Sequence, residues 1–440
     1  MKSRRVVRGR TVGRGVAGLV LALFLAPFLV LISSATASAV DTLCMAKPDE
    51  TACIAGTLRT ESAPVSGATI KVTSPSGEEQ EVTTGETGKW NVEVTEPGKY
   101  TVSVDKESLP KDVVVGQGEI AVNVALGRTQ AATLDVRTGS YSADTSKFDE
   151  LLQSTVNGLR LGLLLALASV GLSLIYGTTG LSNFAHAEQV TLGGMLGYLL
   201  INQHGLGIWI GGLFVVILCA FTGWFQDRVL WQPLRRRGLG LTQMMIVTIG
   251  LSLALQYVYQ YLVGARTVRV VQDNPSVSHF GSVTITNQSL VAMGISVVVL
   301  AIVGYALLRT RIGRATRAVS DNPALASASG IDTDRVIRLV WTVAMGLAGL
   351  SGLLYALVTN GIKWDSGLQI LLLLFAAVTL GGLGTAFGAL LGALIIGLVV
   401  ELSPVLGMPG DFKYATALLI LILLLLVRPQ GLLGKPQRVG

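Results

Sequence analysis

The chain has 440 residues, of which 50% are hydrophobic and 14% are charged. Soluble globular proteins carry about 25% charged residues, so this composition excludes an ordinary soluble protein and indicates an integral membrane protein. The formal net charge of +7 does not indicate nucleic-acid binding, because its distribution is uneven: residues 41–150 carry 10 basic and 18 acidic side chains, a net charge of −8. Only that middle block has the charge density of a soluble surface.

Residues 1–39 have the pattern of a secretory signal peptide. A basic segment, MKSRRVVRGR, precedes the apolar run GVAGLVLALFLAPFLVLI, and the small residues Ala37, Ser38 and Ala39 follow. This order predicts cleavage after Ala39 and a following segment outside the cytoplasm. The apolar run is also long enough for an uncleaved membrane anchor, and that alternative remains open.

Residues 40–140 are predicted to form a small extracytoplasmic β-sandwich. Runs such as GATIKV, KWNVEV and KYTVSV alternate apolar and polar residues, and glycine, proline and serine separate the runs. This alternation is typical of short antiparallel strands with one buried face. The runs resemble carboxypeptidase-regulatory-like domains, which implies a β-sandwich without a specific ligand. Residues 141–153 are predicted to be a polar linker.

The chain contains three cysteines. Cys44 and Cys53 lie in the segment predicted to be outside the membrane, where an oxidising environment permits a disulfide between them. Two free thiols are the alternative. Cys219 lies in the apolar run FVVILCAF and is predicted to be buried. The three histidines are isolated and no Cys/His cluster has ligand spacing, so the sequence predicts no metal site.

Residues 154–430 are predicted to form a transmembrane domain, and residues 431–440 a cytoplasmic tail. Runs of about 20 apolar residues can cross a bilayer as helices. They predict an all-α polytopic protein of about eight to ten transmembrane helices. We place nine spans near residues 154–176, 184–201, 207–226, 241–263, 288–308, 337–358, 367–382, 386–402 and 414–427. The basic segments 235–237, 309–317 and 428–438 should be cytoplasmic, which puts the β-sandwich outside and the C-terminus inside.

The segment LSNFAHAEQV, residues 181–190, interrupts this apolar domain with polar side chains, among them Asn183, His186 and Glu188. Ionisable groups inside a bilayer are costly and usually face a bundle interior or water. Two hypotheses follow: these residues line a translocation path, or they brace two helices without contacting the substrate. His186 and Glu188 are two residues apart and face different sides of a helix, which argues against a catalytic dyad.

A second informative segment lies in the basic loop 309–338. Asp321 and Asn322 are helix-capping residues, and Pro323 suits the first position of a helix. Small residues follow, and Gly330 is predicted to end the helix. The segment has the shape of a short helix that docks into a groove on another protein, with a solvated connector as the alternative. Its candidate docking residues are Asp321, Asn322, Pro323, Ala324, Ala326 and Gly330.

Together these motifs resemble the branched-chain amino-acid permease family of ABC importers. YGTTGLSNFAHAEQVTLGG resembles the family's N-terminal signature, with Asn183, Phe184, His186 and Glu188 as its distinctive residues. DNPALASASGIDTDRVIRL resembles the cytoplasmic coupling loop, and GGLGTAFGALLGALIIGLVVELS and VRPQGLLG resemble the C-terminal half. The resemblance covers about residues 154–435 and leaves out the β-sandwich, which is an addition to the usual layout. Ala187 also replaces the glycine expected between the histidine and the acidic residue.

The resemblance implies a permease subunit in the inner (cytoplasmic) membrane that transports branched-chain or related amino acids by alternating access. It implies no enzymatic activity, no cofactor and no nucleic-acid partner. The implied partners are a second related permease, two ABC ATPases, an extracytoplasmic solute-binding protein, the small-molecule substrate and membrane lipid. The sequence agrees that ATP hydrolysis comes from a partner, because GETGKW and GLLGKP lack the spacing and hydroxyl residue of a phosphate-binding loop. The alternatives are a urea or short-amide permease, an ion-coupled carrier, and a membrane-anchored sensor or adhesion protein acting through its β-domain.

Overall fold

A computed structural model describes residues 51–434, with gaps at 59–64, 106–107, 110–112, 116–118, 125–128, 133, 135, 139–146, 272–275, 410–411 and 429. The chain divides into two compact units, one within residues 36–146 and one that contains residues 147–440. The predicted signal peptide and Cys44 lie outside the described residues.

The first unit is built from short strands, and in the second, fourth and fifth of them buried residues alternate with more exposed ones. The strands are β1 (Ala52–Thr57), β2 (Thr69–Thr73), β3 (Glu79–Thr83), β4 (Lys89–Val94), β5 (Gly98–Val104), β6 (Val113–Val115), β7 (Glu119–Val124), β8 (Thr129–Ala131) and β9 (Val136–Thr138). They form sheets in the orders β4-β1-β8, β3-β2-β5-β7 and β6-β9. Trp90 and Tyr100 are 2% and 3% exposed within one apolar core, so they are structural residues of this unit.

The second unit is helical. Its helices are α1 (Lys147–Thr179), α2 (His186–Gly197), α3 (Ile208–Arg236), α4 (Leu241–Val263), α5 (Asn287–Arg309), α6 (Arg311–Asp321), α7 (Pro323–Ala328), α8 (Thr333–Val358), α9 (Ser366–Gly381), α10 (Ala386–Leu402) and α11 (Lys413–Val427). A π-helical segment, Tyr198–Gln203, prolongs α2, and another, Asp227–Trp231, lies within α3. A small hairpin, β10 (Val277–Phe280) and β11 (Val283–Thr286), precedes α5.

The predicted fold class, a polytopic helical protein preceded by a β-rich region, is confirmed. Among the described residues, five helices are long and apolar enough to cross a membrane: α1, α3, α4, α5 and α8. Each of the nine predicted spans coincides with a helix. Helices α2, α9, α10 and α11, with 12, 16, 17 and 15 residues, are shorter than the other five. The first helix begins at Lys147, seven residues before the predicted span, because Asp149 and Glu150 in its first turn favour a helix N-terminus.

Helices α1 and α8 form the centre of the helical unit. Their most apolar windows are each 72% buried, against 17–28% for α3, α4 and α5. Small residues permit this close packing, which in a bilayer depends on van der Waals contact rather than on the hydrophobic effect. An added Cβ at Gly158 or Gly162 of α1 would lie 2.8 Å from a backbone atom of α10. The polar segment between α1 and α2 therefore follows directly on one of the two most buried helices of the unit.

Candidate functional site

The polar segment between α1 and α2 is an ordered turn. Helix α1 ends at Thr179, Gly180 has a left-handed φ of +69°, and α2 begins at His186. The Asn183 side-chain oxygen accepts a hydrogen bond from the Ala185 amide at 3.1 Å, and the Asn183 carbonyl accepts one from the His186 amide at 3.2 Å. Asn183 thus fixes the turn through its own backbone neighbours, as short amide side chains commonly do.

His186 connects the start of α2 to α1. Its side chain is fully buried, and its Nε2 lies 3.0 Å from the carbonyl oxygen of Ala168. Because a carbonyl can only accept, we assign a proton to Nε2, and the ring donates in this contact. Its Nδ1 has no hydrogen-bond partner among the described residues.

Glu188 connects α2 to α4. The residue is 1% exposed, and its Oε1 accepts a hydrogen bond of 3.2 Å from the Ser252 hydroxyl. The second carboxylate oxygen has no partner in the described part of the chain. Burying a carboxyl group away from water is costly, so the contacts with the surrounding helices have to compensate that cost.

Gln189 and Phe184 complete the contacts of the segment. The Gln189 side-chain oxygen accepts a hydrogen bond of 2.7 Å from the Thr222 hydroxyl on α3. The Phe184 amide donates to the Thr248 hydroxyl of α4 at 3.2 Å, and its ring lies 4.9 Å from that of Phe375 on α9. We call Asn183, Phe184, His186, Glu188 and Gln189 the polar hub, because they link α2 and its turn to α1, α3, α4 and α9. Gln189 is absent from the predicted residues, although it lies in the same motif.

The hub supports a prediction that separates its two hypothetical roles. Glu188→Gln preserves the shape of the side chain and an oxygen that can accept from Ser252, whereas Glu188→Ala removes the acceptor and leaves a void. If the hub braces the helices, Glu188→Ala lowers the free energy of unfolding by about 1–3 kcal/mol and Glu188→Gln changes it little. Thermal unfolding of the purified protein measures this. If the hub lines the translocation path, Glu188→Gln should instead lose uptake at unchanged stability.

The predicted docking segment forms α7, between α6 and α8. The Asn322 side-chain oxygen caps its N-terminus by accepting from the Leu325 amide at 3.0 Å, and Pro323 occupies the first turn. Gly330, at φ +85°, follows its C-terminus, and the Ile331 amide donates to the Ala326 carbonyl at 3.0 Å. This is the glycine-terminated helix end that the sequence predicts, because a left-handed φ suits glycine.

Exposure around α7 departs from the predicted set at Ala326, which is buried, and at residues that the set leaves out, above all Leu325. Ala326 is 3% exposed and packs in an apolar cluster with Trp231, Trp341 and Val319, so it faces inward. Leu325, which sequence reasoning missed, is 65% exposed. Asp321, Asn322, Pro323, Ala324 and Gly330 are exposed beside it. A large apolar side chain thus lies in the middle of an exposed, capped helix.

A cavity of about 1290 Å³ lies beside this segment. It is bounded by the end of α1, by α6, by the turn between α9 and α10, and by residues 430–434. Its polar lining residues include Thr179, Arg317, Asp321, Thr385 and Gln430. A movement of α6 and α7 would therefore change the shape of this cavity.

The cysteine and metal predictions concern other parts of the chain. Cys53 is buried in β1 and disulfide-bonded. Its predicted pairing with Cys44 stays a prediction, because Cys44 is not among the described residues. Cys219 is buried with a free thiol. In the described ranges, no group of three or more His, Cys, Asp or Glu residues is arranged to hold a metal ion.

The helical unit is an apolar bundle with an internal polar hub and a short exposed helix between two of its long helices. Residues 154–427 match the family described as the permease component of the branched-chain amino acid transport system. The chain belongs to this family, whose members are multi-pass proteins of the inner membrane. The family resemblance inferred from the sequence motifs is confirmed.

Relatives of known name agree with this placement. The high-affinity branched-chain amino acid permease protein LivH of Escherichia coli (strain K12) is 31% identical over 316 residues, which cover 67% of this chain and 98% of LivH. BraD of Pseudomonas aeruginosa is 30% identical over 65% of this chain and 96% of BraD. LivM of Escherichia coli, also a branched-chain permease protein, is 24% identical over 65% of this chain and 72% of LivM. A minor pilin of Streptococcus agalactiae is 14% identical over 22% of this chain and 48% of the pilin, with a TM-score of 0.19, which assigns nothing.

Proposed function

We propose that this chain is the permease subunit of an ATP-driven importer for branched-chain or related amino acids, and that it works by alternating access. The observation that carries the proposal is the family match over residues 154–427, which contains both the polar hub and α7. Relatives named for branched-chain amino acid transport align over nearly their whole length, up to 98% of LivH.

The proposed partner proteins are based on an exposed helix of this chain and on the missing phosphate-binding loop. The described residues include a short exposed helix, α7, and the sequence has no phosphate-binding loop. We therefore propose that two cytoplasmic ATPases bind the complex, one of them at α7. Both LivH and LivM of Escherichia coli resemble this chain, which supports a second, related permease as a partner. An extracytoplasmic solute-binding protein would deliver the substrate, and lipid would cover the exposed apolar faces of α3, α4 and α5.

The proposed orientation rests on the distribution of charge. The basic segments 235–237 and 309–317 lie at the α3–α4 connection and around the start of α6. These ends should face the cytoplasm by the positive-inside rule. Helix α7 and the C-terminus then lie on the cytoplasmic side, where an ATPase can reach α7. The hairpin β10–β11 and the β-unit would lie outside.

For the polar hub we propose a bracing role inside one subunit. Its support is that Asn183, His186 and Glu188 are at most 1% exposed, and that His186 and Glu188 each contact a neighbouring helix. The hub would keep α2 in a fixed position relative to α1, α3 and α4 while the subunit changes conformation.

The proposed function is tested by uptake in a strain that lacks this gene and is complemented with it. We expect complementation to restore uptake of labelled leucine, isoleucine and valine, and we expect ATP depletion to abolish it. Labelled urea and a short amide serve as competing substrates. Restored uptake of urea alone would overturn the substrate assignment, and uptake that survives ATP depletion would overturn the ATP-driven mechanism.

A further inference from the structure

Asp227 is a buried carboxylate that the polar hub does not use. It begins the π-helical segment of α3, and its side chain is 0% exposed. A buried charge of this kind is retained only where opposite charges compensate its desolvation.

Two arginines contact it, and a second carboxylate with a third arginine lies beside them. Arg235 Nη2 lies 2.8 Å from Asp227 Oδ1, and Arg338 Nε lies 3.6 Å from Asp227 Oδ2. Asp334, which is 33% exposed, lies 2.9 Å from Arg236 Nη2 and 3.9 Å from Arg235 Nη2. Because Asp227, Arg235 and Arg236 belong to α3 and Asp334 and Arg338 to α8, the group joins these two helices. We call these five residues the ionic joint.

Aromatic packing connects the ionic joint to the docking helix. Trp231 and Trp341 are fully buried and stacked, with ring centroids 5.2 Å apart. They come from the same two stretches of α3 and α8 as the joint. Ala326, the inward residue of α7, belongs to the same apolar cluster as both tryptophans. Helix α7 therefore packs in the same apolar cluster as the place where α3 and α8 meet.

Buried ion pairs are a poor way to hold two helices together, because apolar residues of similar volume often stabilise as well or better. They are better suited to alternative arrangements, since a charged group can exchange one partner for another. Arg235 already contacts both Asp227 and Asp334. Its Nη1, together with Trp231 Nε1 and Trp341 Nε1, has no acceptor within the described ranges, so donors are free for a second arrangement.

We propose that the ionic joint, with Asp227 at its centre, transmits the movement of α7 to α3 and α8 and so couples ATP hydrolysis to the change of access. The proposal rests on the proposed function of an ATP-driven permease. In it, Asp227 and Asp334 are positioning residues: they contact neither substrate nor nucleotide, and they act by fixing how α3 and α8 follow the docking helix.

The test uses the complete importer reconstituted in liposomes, with ATP hydrolysis and leucine uptake measured on the same preparation. The variants are Asp227→Asn and Asp334→Asn, which both keep the shape of the side chain, and the second replaces a partly exposed residue. The matched control is Arg335→Gln, an exposed residue next to Asp334 for which no side-chain contact is found in the described structure. We expect uptake per ATP hydrolysed to fall about tenfold in both Asp→Asn variants, within the usual range of coupling energies. The control should stay at the wild-type ratio.

A conservative variant distinguishes a positioning role of Asp334 from a purely structural one. Asp334→Glu keeps the charge and should restore the wild-type ratio. If Asp227→Asn does not fold, Asp334→Asn decides the matter alone. A lower thermal stability with an unchanged ratio of uptake to hydrolysis would show a structural role only and would overturn the proposal. Absence of ATP-dependent uptake in the wild-type importer would instead be a failure of the proposed function, so the two failures are distinguishable.

Discussion

Replacing Leu325 with Asp should lower ATP-dependent uptake by tenfold or more while leaving the amount of permease in the membrane unchanged. Leu325 is 65% exposed on α7, so the substitution removes no contact on which the fold of the subunit depends. In the assembled importer the same side chain would be an apolar anchor, and truncation of such anchors typically costs about 2–4 kcal/mol of binding. A carboxylate in an apolar pocket adds its own desolvation cost. Copurification of the ATPase with the permease measures the loss directly.

Two further substitutions on α7 are the controls for this prediction. Leu325→Met conserves volume and apolar character and should retain uptake. Ala326→Asp places a charge at a 3% exposed position and should lower the yield of folded permease instead of releasing the ATPase from a folded subunit. Normal copurification and uptake with Leu325→Asp would contradict the docking role of α7.

Leu325 and Ala326 show which features of α7 the sequence alone predicts. The start and end of α7 were predictable because they depend on local chemistry: Asn322 caps the first turn, and Gly330 has the left-handed φ that ends it. Which face of α7 turns inward was not predictable, since a six-residue helix shows no clear periodicity. The answer depends on Trp231 and Trp341, which come from distant parts of the chain.

In the polar hub and the ionic joint, too, the sequence predicts the local features but not the distant packing partners. The cost of a carboxylate in an apolar segment predicts that Glu188 is buried against a partner. It does not identify Ser252, 64 residues further along the chain. The segment DRVLWQPLRRR is polar and contains a proline, which is typical of a basic loop. Helix α3 nevertheless continues through it to Arg236. Its π-helical segment, Asp227–Trp231, lies just before Pro233 and relaxes the regular hydrogen-bond ladder there. Because α3 continues to Arg236, Arg235 lies on the same helix as Asp227 and can contact it.

A single methyl group at Gly352 should disrupt the packing of α2 on α8. An added Cβ there would overlap the carbonyl oxygen of Val190, and one at Gly193 would overlap that of Gly349, so the two backbones are in direct contact. Gly→Ala in a helix interior gains about 1 kcal/mol from propensity. Overpacking costs about 1–3 kcal/mol and occasionally more, and here the obstacle is backbone rather than a movable side chain. The clash should therefore outweigh the propensity gain, and Gly352→Ala should lower the unfolding temperature and the yield of folded permease.

The matched control for Gly352→Ala is Gly346→Ala on the same helix. A Cβ at Gly346 meets its nearest neighbour, the Cβ of Ala220, at 3.4 Å, so alanine fits there and should be neutral or slightly stabilising. Size-exclusion profiles and thermal unfolding of the two purified variants, compared with the wild type, measure the difference. Because α2 carries His186 and Glu188, separating it from α8 also strains the hydrogen bonds to Ala168 and Ser252. Uptake by the folded fraction of Gly352→Ala should consequently fall as well, whereas equal stability of the two variants would show that α2 and α8 do not approach this closely.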